Sequence, residues 1–440
     1  MSAETPAVEI DVDTETHGPG PPFILGNLDK APSPISRIPP EILSVIFYYA
    51  LPDPPWDFIN EAWNSLDPTR APSVLAEVCS SWRAVSLAQS ELWSHILINL
   101  QTLSTVNMAP PTLSRLDLFL QRSGSHPLFI HYADRYAPLP EATDLFLLLL
   151  SHSRRWREVT FYVEFPCLQL MDRIRGNVPL LRALDISAYG ANTFPVFRAF
   201  EEAPQLKNLL LDVGNPYNLS LPWSQLTSLA CGLNVPAMLP GLPALLECVI
   251  RYNPYTPRYT PTRHVKLAKL VTDFTHPLDW LETPNLEYLR VLGPNRLTSS
   301  HLGTFIRRSS CALRSLCLHV IRLAEEDLHA LLQSCPTLLR LQLSYCRIDW
   351  QALARRLAVH APSLVPNLQH IALTHHEFRT NGDIINVLES RVLADHRAGV
   401  TCLRSAYLFF TQFSVEDETR LSALQDLGLQ VVRGDGQYWI

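Results

Sequence analysis

From Arg37 to Pro52 the chain reads RIPPEILSVIFYYALP, and its apolar positions follow a helical period. Ile42, Leu43, Ile46, Phe47 and Ala50 fall on one face of a predicted helix. Pro39 and Pro40 set its start, because first-turn N–H groups have no intrahelical acceptor and lose nothing to proline. Glu41 stands in the first turn, at the positive end of the helix dipole, and Pro52 closes the pattern. A second amphipathic helix is predicted from Leu75, Val78, Cys79 and Trp82, at i, i+3, i+4 and i+7. Leu92 and Trp93 form a bulky pair beyond a Ser90 cap. Three short helices over residues 35–98 bury little surface by themselves and call for a partner.

Further along, the period shortens. PTLLRLQLSYCRI places Leu338, Leu341, Leu343, Cys346 and Ile348 in an L-x-x-L-x-L-x-x-C-x-I frame. CALRSLCLHVIRL repeats it with Leu313, Leu316, Leu318, Ile321 and Leu323, and PNLQHIALTHHEF with Leu368, Ile371, Leu373, His376 and Phe378. Counting shorter versions, the leading leucines are Leu181, Leu206, Leu226, Leu245, Leu267, Leu286, Leu313, Leu338, Leu368 and Leu403, about 19 to 35 residues apart. Trp156, Val159 and Phe161 fit the same frame, and HPLFIHYAD alternates as a strand. The frame is that of the leucine-rich repeat: each unit is a short strand whose inward side chains stay wet until neighbours stack on it.

Helices are predicted between the later strands, in SSHLGTFIRRSS, AEEDLHALLQSC, DWQALARRLAVHA (capped by Asp349) and NGDIINVLESRVLADHRAG. Proline-rich connections between Asn215 and Thr283 leave no room for full helices, so the array should thin there. A helix and a last strand should end the stack. The expected fold class is α/β, a short helical bundle followed by an irregular leucine-rich repeat solenoid. Its expected spans are a disordered tail at 1–34, the bundle at 35–98, a connecting region at 99–150 and the solenoid at 151–440.

IPPEIL, VCSSWRAV and ELW occur in this order, and together they resemble the F-box, the helical module by which substrate receptors attach to the Skp-type adaptor of cullin ubiquitin ligases. The resemblance implies that Pro39, Glu41, Ile42 and Leu43 match the opening that faces the adaptor and that Val78, Cys79 and Trp82 match the second helix, so all seven are candidate adaptor-binding residues; the helix phase places Trp82 mostly in the bundle core. Ile38 stands where the family more often has leucine, and the interruption from Leu51 to Ala71 is longer than its usual connection. A resemblance to F-box proteins with leucine-rich repeats also implies that other subunits transfer ubiquitin while this chain positions an unidentified target.

Charge and chemistry narrow the rest. A net charge of −6 gives no basic field for phosphate backbones, so nucleic acid is not expected as a partner. No apolar run is long enough for a membrane span, and the acidic opening lacks a secretory signal, so a cytoplasmic or nuclear location is expected. Nine cysteines without a C-x-x-C pair point to reduced thiols, with Cys79 and Cys346 at buried pattern positions. His375, His376 and Glu377 do not have paired metal-ligand spacing, and the phosphate-loop and nucleophile-elbow motifs are missing. No catalytic residue, metal or cofactor is therefore expected, and no enzymatic activity.

Arg340, Gln342, Ser344 and Gln369 lie between inward leucines and are expected to be exposed together on the concave face, as a target-binding surface. The loop Tyr252 to Tyr259, with Arg258, Arg263, His264 and Lys266 beside it, is a rival contact whose plainer reading is an irregular connection. Two other functions stand beside the receptor reading: a repeat scaffold that recruits no ligase, and an enzyme with its site in irregular loops.

Overall fold

The computed structural model describes residues 34–433 apart from 52–63, 102–111, 135–141, 190–195, 213–218, 233–234, 252–260, 274–276, 294–298, 322, 324, 347, 349, 359–363, 375–381, 394–399 and 410–412. The expected disordered tail, the Asp349 cap, the Tyr252–Tyr259 loop and the His375–Glu377 cluster lie outside the described residues.

Strands form wherever the repeat frame predicts them. They are β1 (His95–Asn99), β2 (Leu128–Ala133), β3 (Trp156–Glu164), β4 (Ala183–Tyr189), β5 (Asn208–Asp212), β6 (Ser228–Cys231), β7 (Glu247–Ile250), β8 (Thr262–Arg263), β9 (Lys269–Thr272), β10 (Leu281–Glu282), β11 (Tyr288–Leu292), β12 (Ser315–His319), β13 (Arg340–Ser344), β14 (His370–Thr374), β15 (Ser405–Phe409) and β16 (Gln430–Arg433). Among the described residues, all but β8 and β10 join one 14-stranded parallel sheet in chain order, while those two pair with each other.

The register follows the leucines. Leu289, Leu316, Leu341, Ile371 and Ala406 stand side by side across β11 to β15, and Val291, Leu318, Leu343, Leu373 and Leu408 form the next row. All ten side chains are buried, as are the leading leucines from Leu181 to Leu403. A period of two sends alternate residues to one face, so stacking the repeats joins these rows into one continuous core. Cys346 fills its frame position, buried, with its thiol donating to the Leu318 carbonyl at 3.3 Å.

Helices of 8 to 12 residues cover that core in the later repeats, at Ser299–Ser309, Glu325–Gln333, Trp350–Leu357, Gly382–Val392 and Val415–Asp426. Among the described residues of the proline-rich stretch, the helical segments are short turns such as Trp223–Gln225, Val235–Met238 and Pro277–Trp280, so the array thins there, where the sequence predicts. Arg391 is fully buried, and its guanidinium donates to the carbonyls of Leu357, Val365 and Leu364 at 2.8, 2.9 and 2.5 Å. Burial pushes its pKa down to about 10.

The sheet begins at His95, upstream of residue 151, so β1 and β2 occupy ground expected to be bundle and connection. Ser65 seals its first edge: its N–H donates to the Leu97 carbonyl at 2.8 Å and its hydroxyl accepts from the Leu97 N–H at 2.9 Å. Ahead of it lie α1 (Pro40–Tyr49), α2 (Leu75–Val78) and α3 (Ser80–Ala88).

The second predicted helix is thus two. It breaks at Cys79, where the backbone is extended (φ −160°, ψ 172°) and the sulfur accepts from the Trp82 N–H at 3.4 Å as the cap of α3. Acting as a cap leaves Cys79 exposed, which corrects its expected burial. Trp82 is half-buried, its ring 4.9 Å from that of Phe47. Trp93 is fully buried, donates to the Ser86 carbonyl at 2.8 Å and meets Phe119 at 4.9 Å, which joins the helices to the sheet's core.

Candidate functional site

Two surfaces can receive a partner. The first is α1, which is apolar on two faces. Leu43 and Phe47 point into the core, whereas Ile42, Val45, Ile46 and Tyr49 are 52, 52, 46 and 78% exposed. These four stand at i, i+3, i+4 and i+7, one stripe along the opposite side. The helical period of the sequence predicts Ile42, Leu43, Ile46, Phe47 and Ala50 on a single face. In the structure Leu43 and Phe47 separate from Ile42 and Ile46, and Ala50 is exposed.

Of the residues matched to the F-box, Pro39, Glu41, Ile42, Val78 and Cys79 are exposed, Trp82 is half-buried and Leu43 is buried. Leu43 therefore builds the core and presents no side chain to a partner. Val45 and Tyr49 complete the exposed stripe and were not among the residues expected there, although their spacing from Ile42 is the sequence signal that finds them.

The second surface is the sheet face opposite the leucine rows. Arg340 is exposed and Gln342 half-buried, but Ser344 is 3% exposed, contrary to expectation. It is a small side chain beside Gln342, whose amide donates to its hydroxyl at 3.2 Å. Gln369 does not join this row either. The register pairs Arg340 with His370, which leaves Gln369 one residue ahead of the strand. His370, Ala372 and Thr374 take the alternating positions, and His370 Nδ1 lies 2.7 Å from the Ser405 hydroxyl. Burial, then Arg340 and Arg404, lower the His370 pKa.

Nearer the first strands, the same face holds a hollow of about 490 Å³ over β2 to β6, lined among others by Phe129, Glu158, Thr160, Asp185, Leu210 and Ala230. Asp185 accepts from the Tyr162 hydroxyl at 3.4 Å through Oδ2, while its buried Oδ1 has no hydrogen-bond partner among the described residues. Burial pushes its pKa up to about 6. Arg251 and the Tyr162 hydrogen bond oppose the shift, and Asp212 adds to it. His131, which also lines the hollow, is pushed down to about 4 by burial. Asp185 sits at an outward position of LRALDIS, so its place on this face was legible in the repeat frame, but the hollow was not.

The bases beside the 252–260 connection are not an open cationic set. Arg263 pairs with Glu282 at 3.1 Å and His264 is buried, with Nε2 2.9 Å from the Leu242 carbonyl, while Lys266 is exposed. Among the described residues, no group of three or more His, Cys, Asp or Glu side chains could hold a metal, and no helix is long and apolar enough to cross a membrane.

Parallel in-register strands, inward leucine rows and covering helices define an α/β solenoid of the leucine-rich-repeat type. No family model matches the sequence, and no curated protein matches it. Among solved structures, an internalin from Listeria monocytogenes aligns over 82% of this chain and 88% of its own, at 13% identity and a TM-score of 0.31. The Rad7 and Elc1 complex of yeast aligns over 78% of this chain and 91% of that one, at 15% identity and 0.33. The Toll–Spatzle complex of Drosophila aligns over 77% and 53%, at 14% and 0.33. Likenesses this low in TM-score carry no functional argument.

Proposed function

We propose that this chain is the substrate-recognition subunit of a Skp–cullin–F-box type ubiquitin ligase, binding the adaptor through its first helices and a target protein through the open face of the sheet. The observation that carries the reading is the second apolar face of α1. Ile42, Val45, Ile46 and Tyr49 are left exposed while Leu43 and Phe47 already satisfy the core. A helix that needed only to cap the solenoid would be polar on that side. The stripe has the form of an amphipathic helix that lies in a partner's groove, and it coincides with the segment that resembles the F-box.

The chain supplies position, and ubiquitin chemistry belongs to other subunits. Because the helices share one core with the first strands, the adaptor face and the sheet face are held by the same packed body. A scaffold that recruits no ligase is the second reading. It draws on that same shared core, since a bundle fused to the array also serves as its terminal cap.

Co-expression of the full chain with a Skp-type adaptor, followed by affinity capture of either, separates the two. A stoichiometric complex that survives size-exclusion chromatography is the expected result, and a folded chain that never captures the adaptor supports the scaffold.

A further inference from the structure

From the hollow over β2 to β6 we infer that the target presents a lysine or arginine side chain there, within a short segment that also carries apolar residues. The inference rests on the reading of the sheet face as the target surface and names the chemistry the surface reads. Three features of the hollow carry it.

Its size comes first. About 490 Å³ exceeds one side chain and suits a few residues of extended chain, within the range of working ligand sites. Its lining is graded. Phe129, Leu210 and Ala230 offer apolar surface for an aliphatic stem, and Glu158 and Asp185 offer carboxylates within the same hollow.

Third, the Asp185 carboxylate is left half-used. Oδ2 takes the Tyr162 hydroxyl, and buried Oδ1 has no partner among the described residues. A buried carboxylate short of partners costs stability, and because Oδ1 is itself closed to solvent, a cation in the hollow offsets that cost through its charge beside the carboxylate. The upward pKa shift of Asp185 agrees, since burial outweighs the help that Arg251 gives its charge.

Charges of both signs border the hollow. Arg157 lies over the Phe129 ring at 5.7 Å, and Arg251 acts on Asp185 from β7's end. Neither makes an ion pair with Asp185 or Glu158. Further along the sheet, Arg340 and Arg404 make the opposite end basic, so an acidic target would be read there instead.

The test uses the full chain and immobilised heptapeptide libraries whose central residue is fixed as lysine, arginine, norleucine or glutamate and whose other positions are randomised. Lysine and arginine libraries should be retained at least about tenfold better than norleucine or glutamate, the discrimination a charge-assisted hydrogen bond supplies. Asp185→Asn and, at the exposed rim, Glu158→Gln should each reduce that preference with melting no lower than the parent's. Retention by the parent should fall between pH 7.5 and 5, as Asp185 takes up a proton, and should lose that dependence in Asp185→Asn.

Equal retention of lysine and norleucine overturns the inference, as does a preference for glutamate, a preference that survives both substitutions, or no retention of any library. Adaptor capture by the same preparation reports on the ligase proposal separately. A chain that prefers lysine but captures no adaptor keeps the pocket and loses the ligase.

Discussion

His95 and His131 are both buried, at 8 and 9% exposure, and burial pushes the pKa of each down to about 4, with His126 adding to the shift at His95. Unfolded, each titrates near 6.5, so the unfolded chain binds protons that the folded one refuses. The stability these neutral rings contribute is complete above about pH 6.5 and is lost as pH falls toward 4. Between pH 7.5 and 5 the linkage relation gives a loss of about 2 kcal/mol for each ring. Asp185 works the other way. Its folded pKa, raised to about 6, returns about 1 kcal/mol over the same interval, because the folded chain holds that proton more tightly.

The three groups together predict a net loss of about 2–3 kcal/mol at pH 5. Comparing the parent with His131→Asn by urea unfolding at pH 7.5 and 5.0 isolates one ring, since every other titration is common to both proteins. The variant should lose about 2 kcal/mol less than the parent on acidification. Equal losses in the two proteins would show that His131 titrates normally and that the first strands are not packed around it as described.

Leu341 lies between Leu316 and Ile371 in its row, 1% exposed, so Leu341→Ala removes three buried carbons and leaves a cavity; urea unfolding should show a loss of about 3–4 kcal/mol. Trp82→Ala removes a half-buried ring packed on Phe47 and should cost about 2–3 kcal/mol by the same assay, less than a fully buried tryptophan. Arg391→Met strips three carbonyls of their donor and should cost about 2–4 kcal/mol, with faster amide exchange in the Trp350–Leu357 helix as the local readout. Asp185→Asn should raise the urea midpoint at pH 7.5 and lose that advantage near pH 4, where the parent's carboxyl is protonated.

The repeat frame was legible because its signal is local and redundant: a leucine two or three residues from the next can satisfy only one face of a strand, and ten units say so. Register followed, down to the Leu341 row. What sequence could not supply was the choice between two apolar faces on one helix. Ile42 and Leu43 are equally oily, and only the position of the assembled core decides that Leu43 goes in. Cys79 was misread because a pattern of i, i+3, i+4 and i+7 does not register a break. The Cys sulfur competes for the Trp82 N–H, and the backbone turns extended there. Ser344 and Gln369 show the limit on the open face, where a one-residue offset before a strand and a neighbour's amide settle which side chain meets solvent. Asp185 stood in plain view at an outward position. That its Oδ1 has no partner among the described residues depends on distances across neighbouring strands, which no spacing along the chain encodes.

The proposal that the outward face of α1 docks a Skp-type adaptor is tested by adaptor affinity for the full chain against Ile42→Asp/Ile46→Asp. Both side chains are about half exposed and off the core, so the double variant should melt close to the parent, unlike any change at Leu43. By isothermal titration the parent should bind the adaptor and the variant should lose at least about a hundredfold, the effect of placing two charges in an apolar contact. Undiminished affinity in the folded variant, or no binding by the parent, would contradict adaptor docking through α1.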